Sequence, residues 1–514
     1  MRWSPIAWAV AATTATAQVT LTDDTSVAVD SAARPGPPPY CGLTDFRRLV
    51  PRLSAQAEVY YPGSTQFATL SQRWSNLQTP TVNVEVVPAS EADVVEIVKA
   101  ANTCNIAILA YNGAHGSITT LGSMDCGIGI NLKKLTGVTI AANGQTATIA
   151  GGTNSRVVID ALWAAGKQTV TGTCECVSYM GPALGGGHGW LQGHYGLIAD
   201  QFVSLNVVLA DGSLKTVSAT SNSDLWWGMK GAGHNFGIVT SATVKIYPKI
   251  HTTWAIETLM FTGDKVQAVY QAINDNLLQG GNQPVGIINW SYWFNLPPVD
   301  PTGPVMEIYI IQEGVTAVDS VYTQPFHNIG PIAITPGNGT YFDLARWTGI
   351  ALDQGPCQFA GMANPRFPVY LPAYNATAMQ EVYNLFKAGT AGSSPFAGSL
   401  FMFEGYSMQG VEAVSDASTA YAFRGDNLLV APLIQYTPGS AALDAQAAQF
   451  GNQLRQALHR GSGRTQMHMY VNYAYGDETP KDWYGADQWR QDRLKALKKK
   501  YDPKGKFSFY APAA

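Results

Sequence analysis

The sequence predicts an α+β chain of two domains, and three observations carry that expectation: a strand–helix–strand run, two hairpin turns, and a change of texture beyond residue 248. Val82-Asn-Val-Glu-Val-Val87 alternates as a half-buried strand does, and Pro88 stops it. Ser90 with Asp93 makes an acidic capping box, and Val94, Val95, Ile97, Val98 and Ala101 follow at helical spacing. Ile106–Leu109 is the next strand and runs straight into Tyr111-Asn-Gly-Ala-His-Gly116. Asn143-Gly144 joins Val138–Ile140 to Thr146–Ile149, and Asp211-Gly212 joins Val203–Leu209 to Leu214–Val217, both as hairpin turns. Phe236–Ile246 is a strand ended by Pro248. Beyond it come longer strands such as Val305–Gln312, helix patterns over Lys265–Leu277 and Ala441–Leu458, and most of the proline-rich loops. No tandem repeat is present.

Composition narrows the function classes. Hydrophobic residues make up 46% of the 514, enough for large cores, so wholesale disorder is excluded. A net charge of −4 argues against nucleic acid as a partner, which would call for a basic face. The dense basic run, Arg493–Lys500, reads as a solvated helix face. No apolar stretch reaches the ~20 residues that span a bilayer. Met1-Arg2, the apolar run Ile6–Ala12 and Ala15-Thr-Ala17 before Gln18 fit a secretory signal peptide over residues 1–17. Residues 18–40 form a proline-rich leader. Sequons at Asn289, Asn338 and Asn375 and the cysteines at 41, 104, 126, 174, 176 and 357 agree with a secreted, extracellular protein in which some cysteines pair.

Several nucleotide and metal motifs fail on their spacing. Gly185-Gly-Gly-His-Gly189 lacks the Gly-Lys-Ser/Thr ending of a phosphate loop, and Gly231-Ala-Gly-His-Asn-Phe-Gly237 opens a strand where a dinucleotide fingerprint opens a helix. Cys174-Glu-Cys176 has no second ligand pair, so no metal site is expected. Two loops remain, Asn112–Ser117 and Gly172–Gly189. Each combines small residues, which let backbone amides approach an anionic ligand, with one nucleophile, His115 or Cys174. A hydrogen-bonded loop histidine and half of a structural disulfide are the plain alternatives.

Taken with Thr171-Gly-Thr-Cys174 through Gly189, Ala210-Asp-Gly-Ser213 and Gly231–Thr240, the Tyr111–Ser117 loop resembles the FAD domain of the vanillyl-alcohol-oxidase superfamily. Tyr470-Val-Asn-Tyr473 with Trp489, Arg493, Leu494, Lys498, Tyr501-Asp-Pro503 and Phe507 is similar to the ending of berberine-bridge-type enzymes. Within that group the chain looks most like fungal secreted FAD-linked oxidoreductases, whose relatives include oligosaccharide oxidases. The resemblance covers residues 77–248 and 466–510. It implies a two-subdomain FAD-binding domain of the PCMH type over residues 41–248, and a substrate domain over 249–465 with an antiparallel sheet covered by helices. Residues 466–514 would return to the FAD domain.

The resemblance also implies residue roles. His115 matches a histidine bonded to the flavin 8α carbon. Cys174, by its distance from Gly185, matches a cysteine bonded to flavin C6, with Cys176 as the competitor. Asn112, Gly113, Ala114, Gly116, Ser117, Gly181, Gly185, Gly186, Gly187, Gly189, Gly237, Ile238, Val239 and Asn472 match cofactor-binding positions. Ala114 departs from the family, which more often has glycine there. Tyr473 matches a catalytic base, with Tyr470 beside it and Glu404 as an alternative acid–base residue. Val177 matches the position that lines oxygen access, where valine accompanies oxidases. Relatives pair cysteines in places comparable to Cys41 and Cys104. Trp290, Tyr292 and Trp293 suit either stacking on a sugar or core packing. The expected protein is a monomeric flavoprotein oxidase without nucleic-acid or membrane partners. It would take a hydride from a sugar, an alcohol or a secondary metabolite and give peroxide with molecular oxygen. A secondary-metabolite cyclase and a dehydrogenase with another acceptor are the alternatives.

Overall fold

The computed structural model of the chain describes residues 49–513. The expected signal peptide, the leader and Cys41 fall outside the described residues. Strands β1 (Glu58–Tyr60), β2 (Val82–Val87), β3 (Ala107–Tyr111) and β4 (Gly127–Asn131) form one sheet in the order β1-β2-β4-β3. In it β2, β4 and β3 run parallel. Parallel neighbours need a crossover, and helix α1 (Glu91–Thr103) supplies it between β2 and β3. Its start is the expected capping box: Ser90 Oγ accepts from Asp93 N, and the Asp93 carboxylate accepts from Ser90 N.

A second sheet is antiparallel, in the order β5-β6-β9-β7-β8. Its strands are β5 (Val138–Ile140), β6 (Thr146–Ala150), β7 (Phe202–Val208), β8 (Leu214–Ser218) and β9 (Ile238–Lys245). Gly144 and Gly212 turn its two hairpins at φ +64° and +82°, a left-handed conformation that suits glycine.

The third sheet has seven strands: β10 (Trp254–Phe261), β11 (Ile287–Phe294), β12 (Val305–Glu313), β13 (Ala333–Gly339), β14 (Val369–Leu371), β15 (Leu400–Tyr406) and β16 (Leu428–Leu433), all paired antiparallel. Successive side chains of a strand face opposite ways, and apart from the exposed edge strand β13 both faces here are buried. Trp293, Phe401 and Phe403 pack under helices α2 (Val266–Ala272), α3 (Ala376–Thr390) and α4 (Ala441–Gly461). Trp290, Tyr292 and Tyr406 face the other way and join Tyr179, Trp190 and Leu191 in the core shared with the second sheet. Trp290 meets Trp190 at 4.6 Å between ring centroids. The aromatic run of β11 is therefore core, with Trp290, Tyr292 and Trp293 at most 4% exposed.

Three expectations are corrected. Cys104, the C-cap of α1, is a free thiol, so a Cys41–Cys104 disulfide is not formed. Cys126 is disulfide-bonded, and Cys176 is bonded to Cys357. Asn289 is no glycan acceptor: it is 2% exposed in β11 and its Nδ2 donates to Gln283. Asn338 and Asn375 are exposed. In the basic run, on helix α5 (Gln488–Tyr501), Lys498 turns inward and donates to Asp502, Asn235 O and Phe507 O. Buried carbonyls need donors, and this lysine supplies them while Lys499 and Lys500 stay exposed.

Candidate active site

The Asn112–Ser117 loop leaves the end of β3 and is held by hydrogen bonds to neighbouring segments. Asn112 Nδ2 donates to Gly152 O at 2.5 Å, Ala114 O accepts from Trp74 N at 3.2 Å, and Gly116 O accepts from Arg73 at 3.1 Å. Gly113 lies against the Cys176 carbonyl, 3.2 Å from where a Cβ would sit, and a Cβ on Gly116 would meet the Tyr510 ring at 2.9 Å. Ala114 holds φ +49°, a left-handed conformation that costs an alanine ~1–2 kcal/mol. Ser117 is buried.

His115 stands between two rings. It stacks on Trp74 at 5.6 Å and tilts against Phe359 at 6.0 Å, and its Nε2 lies 3.4 Å from Cys176 Sγ. Burial, helped by the fields of Arg366 and Arg73, pulls its pKa down to about 3, so the imidazole is neutral and keeps a nucleophilic nitrogen. Cys174 is a free thiol 3.7 Å from both Cys176 Sγ and Cys357 Sγ. Burial pushes it up to about 11, against backbone amides of Cys176 and Val177 and the Arg366 charge. The three sulfurs lie within 4.8 Å of one another, but the disulfide leaves a single thiol for coordination. Val177 is half-buried in the same loop, its carbonyl accepting from Ser155 N.

The glycines of the second loop make room for the chain itself. A Cβ on Gly185 would strike Asn472, on Gly186 Tyr421, on Gly187 Ile198, on Gly189 the Thr171 carbonyl and on Gly237 Val207. Gly181 is exposed at the start of the Met180–Leu184 turn. Ile238 and Val239 pair with Val208 and Val207 in the second sheet. Asn472 Nδ2 donates to Pro182 O and to the Tyr470 hydroxyl, which also accepts from His188 N.

At the other end Tyr473, closing the Val471–Tyr473 turn, donates to Glu404 Oε1 at 2.9 Å, and Tyr406 donates to Oε2 at 2.8 Å. Burial raises the Glu404 pKa, and burial with the Glu404 charge raises that of Tyr473 well above 10. The Arg366 guanidinium opposes both shifts. It lies 4.3 Å over the Tyr473 ring and 4.6 Å over Trp74, and its Nε is buried without a hydrogen-bond partner. Trp74 and Arg366 thus join the His115 end to the Tyr473 end through a chain of ring contacts. His188 lies beneath, its Nδ1 donating to Gln192 and its Nε2 accepting from Tyr370. Burial lowers its pKa to about 4, which keeps it neutral.

A cavity of about 170 Å³ is lined by Asn112–His115, Asn131, Cys176, Cys357 and Phe359. It shares Leu70, Gln72 and Tyr111 with a larger one of about 530 Å³ beside Arg73 and Glu85. Loop backbone, a neutral histidine and the Cys176–Cys357 disulfide line one end of this space, the Cys174 thiol adjoins that disulfide, and Ser155 Oγ and Arg366 Nε are buried without partners, a set that suits a polar ring cofactor with a long tail. Of the residues expected at the site, Glu404 and Tyr470 both contact Tyr473, while Cys174 and Val177 flank Cys176, which meets His115. Arg366, Trp74, Tyr406, His188 and Cys357 were not anticipated. His188 alone had a local signal, its place inside the glycine run.

Residues 82–218 match the FAD binding domain family. The chain is 57% identical over 470 residues to the FAD-linked oxidoreductase chyH of Penicillium rubens, covering 91% of this chain and 94% of that protein. Its fold is similar to Physcomitrella patens BBE-like 1, with a TM-score of 0.77 and 19% identity over 91% of this chain and 99% of the other. It is also similar to the glucooligosaccharide oxidase of Acremonium strictum, described with a 6-S-cysteinyl, 8α-N1-histidyl FAD, with a TM-score of 0.76 and 18% identity over 91% and 99%.

Proposed function

Because the chain belongs to the fungal FAD-linked oxidoreductases, we propose that it is an oxidase acting on the C–H of a small alcohol, such as a sugar hydroxyl carbon, with molecular oxygen as acceptor and hydrogen peroxide as product. FAD would be held by His115 and Cys174, as in the doubly linked FAD of the glucooligosaccharide oxidase, with the 112–117 backbone against its phosphates. When bound, the flavin accepts a hydride and passes electrons on. The chain's part is proton handling. A buried tyrosine cannot ionise alone, but Tyr473 can pass its proton to Glu404 Oε1, 2.9 Å away, as its oxygen takes the substrate hydroxyl proton. Tyr406 holds the second carboxylate oxygen, and Arg366 over the Tyr473 ring offsets the phenolate charge. The Tyr473–Glu404 hydrogen bond carries this reading. Trp74 and Phe359, the two rings that hold His115 between them, favour a second one, an aromatic secondary metabolite as substrate. Export through residues 1–17 and glycans on Asn338 and Asn375 complete the proposal.

The test is a panel of sugars and aromatic alcohols. A true substrate added without air should bleach the flavin, and air should restore its colour with one peroxide per turnover. A reduced enzyme that persists for minutes in air, with a quinone restoring turnover, would replace the oxidase reading by a dehydrogenase.

A further inference from the structure

Cys176 lines the cavity beside His115, and Cys174, two residues before it, adjoins it. Cys176 Sγ touches the His115 imidazole, and Cys174 Sγ is 3.7 Å from Cys176 Sγ. By position Cys176 is at least as well placed as Cys174 to reach a ring already bonded to His115. Chemistry separates them. Only a thiolate attacks carbon, and a disulfide sulfur has no thiol to ionise. On the reading that the flavin is held through a histidine and a cysteine, we propose that Cys357 is a selector residue: by taking Cys176 into a disulfide it leaves Cys174 as the thiol that bonds the cofactor. In the attachment the S–H bond of Cys174 and the flavin C6–H bond break and a C–S bond forms. The two electrons and two protons released go to dioxygen, giving hydrogen peroxide.

The arrangement has one competing isomer. Attack of Cys174 on Cys357 Sγ, also 3.7 Å away, would form Cys174–Cys357 and release Cys176 as the thiol, with no external oxidant. Once Cys174 is bonded to carbon the exchange has no attacking sulfur. The disulfide also ties the Gly355–Cys357 turn of the second half of the chain to the flavin-side loop, 181 residues away.

Fragment-ion mapping of unreduced, iodoacetamide-treated holoenzyme tests this in four proteins. Wild type should carry flavin on Cys174 with Cys176 joined to Cys357. Cys357→Ser should divide the flavin between Cys174 and Cys176. Cys174→Ser should retain flavin on His115 alone, and Cys174→Ser/Cys357→Ser should move the sulfur link to Cys176. Flavin only on Cys174 in Cys357→Ser, or flavin on Cys176 in Cys174→Ser, overturns the selector role. Cys174→Ser keeps the disulfide, so it decides the matter even where Cys357→Ser fails to fold. Wild type with flavin on His115, Cys176 joined to Cys357 and Cys174 alkylated overturns the cysteinyl link itself, and is told apart by that alkylation.

Discussion

The two ends of the site are built from the same physical cause and put it to opposite use. Around His115 and Cys174, burial acts on nucleophiles: it holds the imidazole neutral and the thiol protonated, and among the described residues no carboxylate is hydrogen-bonded to either. Around Tyr473, burial acts on a closed hydrogen-bonded set, Tyr473–Glu404–Tyr406, where raising the carboxyl pKa makes Glu404 a better proton acceptor. Desolvation alone therefore stores nucleophiles, while desolvation with a shared proton makes a base. Among the described residues the Arg366 charge bears on both ends.

The contrast breaks most sharply at Tyr473. Tyr473→Phe should leave flavin attachment and folding intact while lowering turnover by roughly 10²–10⁴, the range for a positioned base. Near-native turnover, measured as peroxide release, would move the base elsewhere. Glu404→Gln is expected to cost about 10²-fold, at the low end of that range, and to abolish the limb of kcat/KM that rises with pH through a value above the ordinary glutamate 4.5. The sign for stability runs the other way. A carboxyl whose pKa is higher in the folded state contributes stability while protonated and loses it as pH rises through the folded value. The Tm of Glu404→Gln relative to wild type should therefore improve from pH 4.5 upward. A variant that is less stable at every pH would show that the carboxylate's hydrogen bonds outweigh its desolvation.

At the nucleophile end the expected effects are smaller. Val177→Leu should slow reoxidation of the reduced flavin by oxygen several-fold in stopped-flow, with anaerobic reduction unchanged. Equal slowing of both half-reactions would assign Val177 to packing. Ala114→Gly should raise stability by about 0.5–1 kcal/mol, the left-handed strain relieved less the entropy cost of glycine. No change in denaturant midpoint would mean that the loop relaxes around the alanine.

What could be read in advance follows from how local each signal is. The capping box at Ser90, the hairpin turns at Gly144 and Gly212 and strand β2 are written in adjacent residues, and they form as the pattern demands. His115, Cys174 and Tyr473 lie in compact motifs. Arg366 lies in an irregular segment, and its place over Tyr473 depends on a turn more than a hundred residues later. The Cys176–Cys357 pairing is likewise a fact of tertiary contact, and connectivity is not encoded in spacing. Lys498 was misread because a run of lysines usually faces water, whereas here the Asn235 and Phe507 carbonyls lie under the helix. The same limit applies to Asn289, whose sequon is silent because its strand lies in the middle of a sheet.

The long-range Cys176–Cys357 disulfide also sets an order of events during synthesis. Cys176 leaves the ribosome 181 residues ahead of Cys357. At ~5–20 residues per second, translation keeps the two apart in time by roughly 10–40 s. Throughout that window neither thiol of the Cys-Glu-Cys run can pair with Cys357, so the pairing waits until Cys357 has emerged. Cofactor supplied too early would meet a nascent chain that has not yet chosen between its sulfurs.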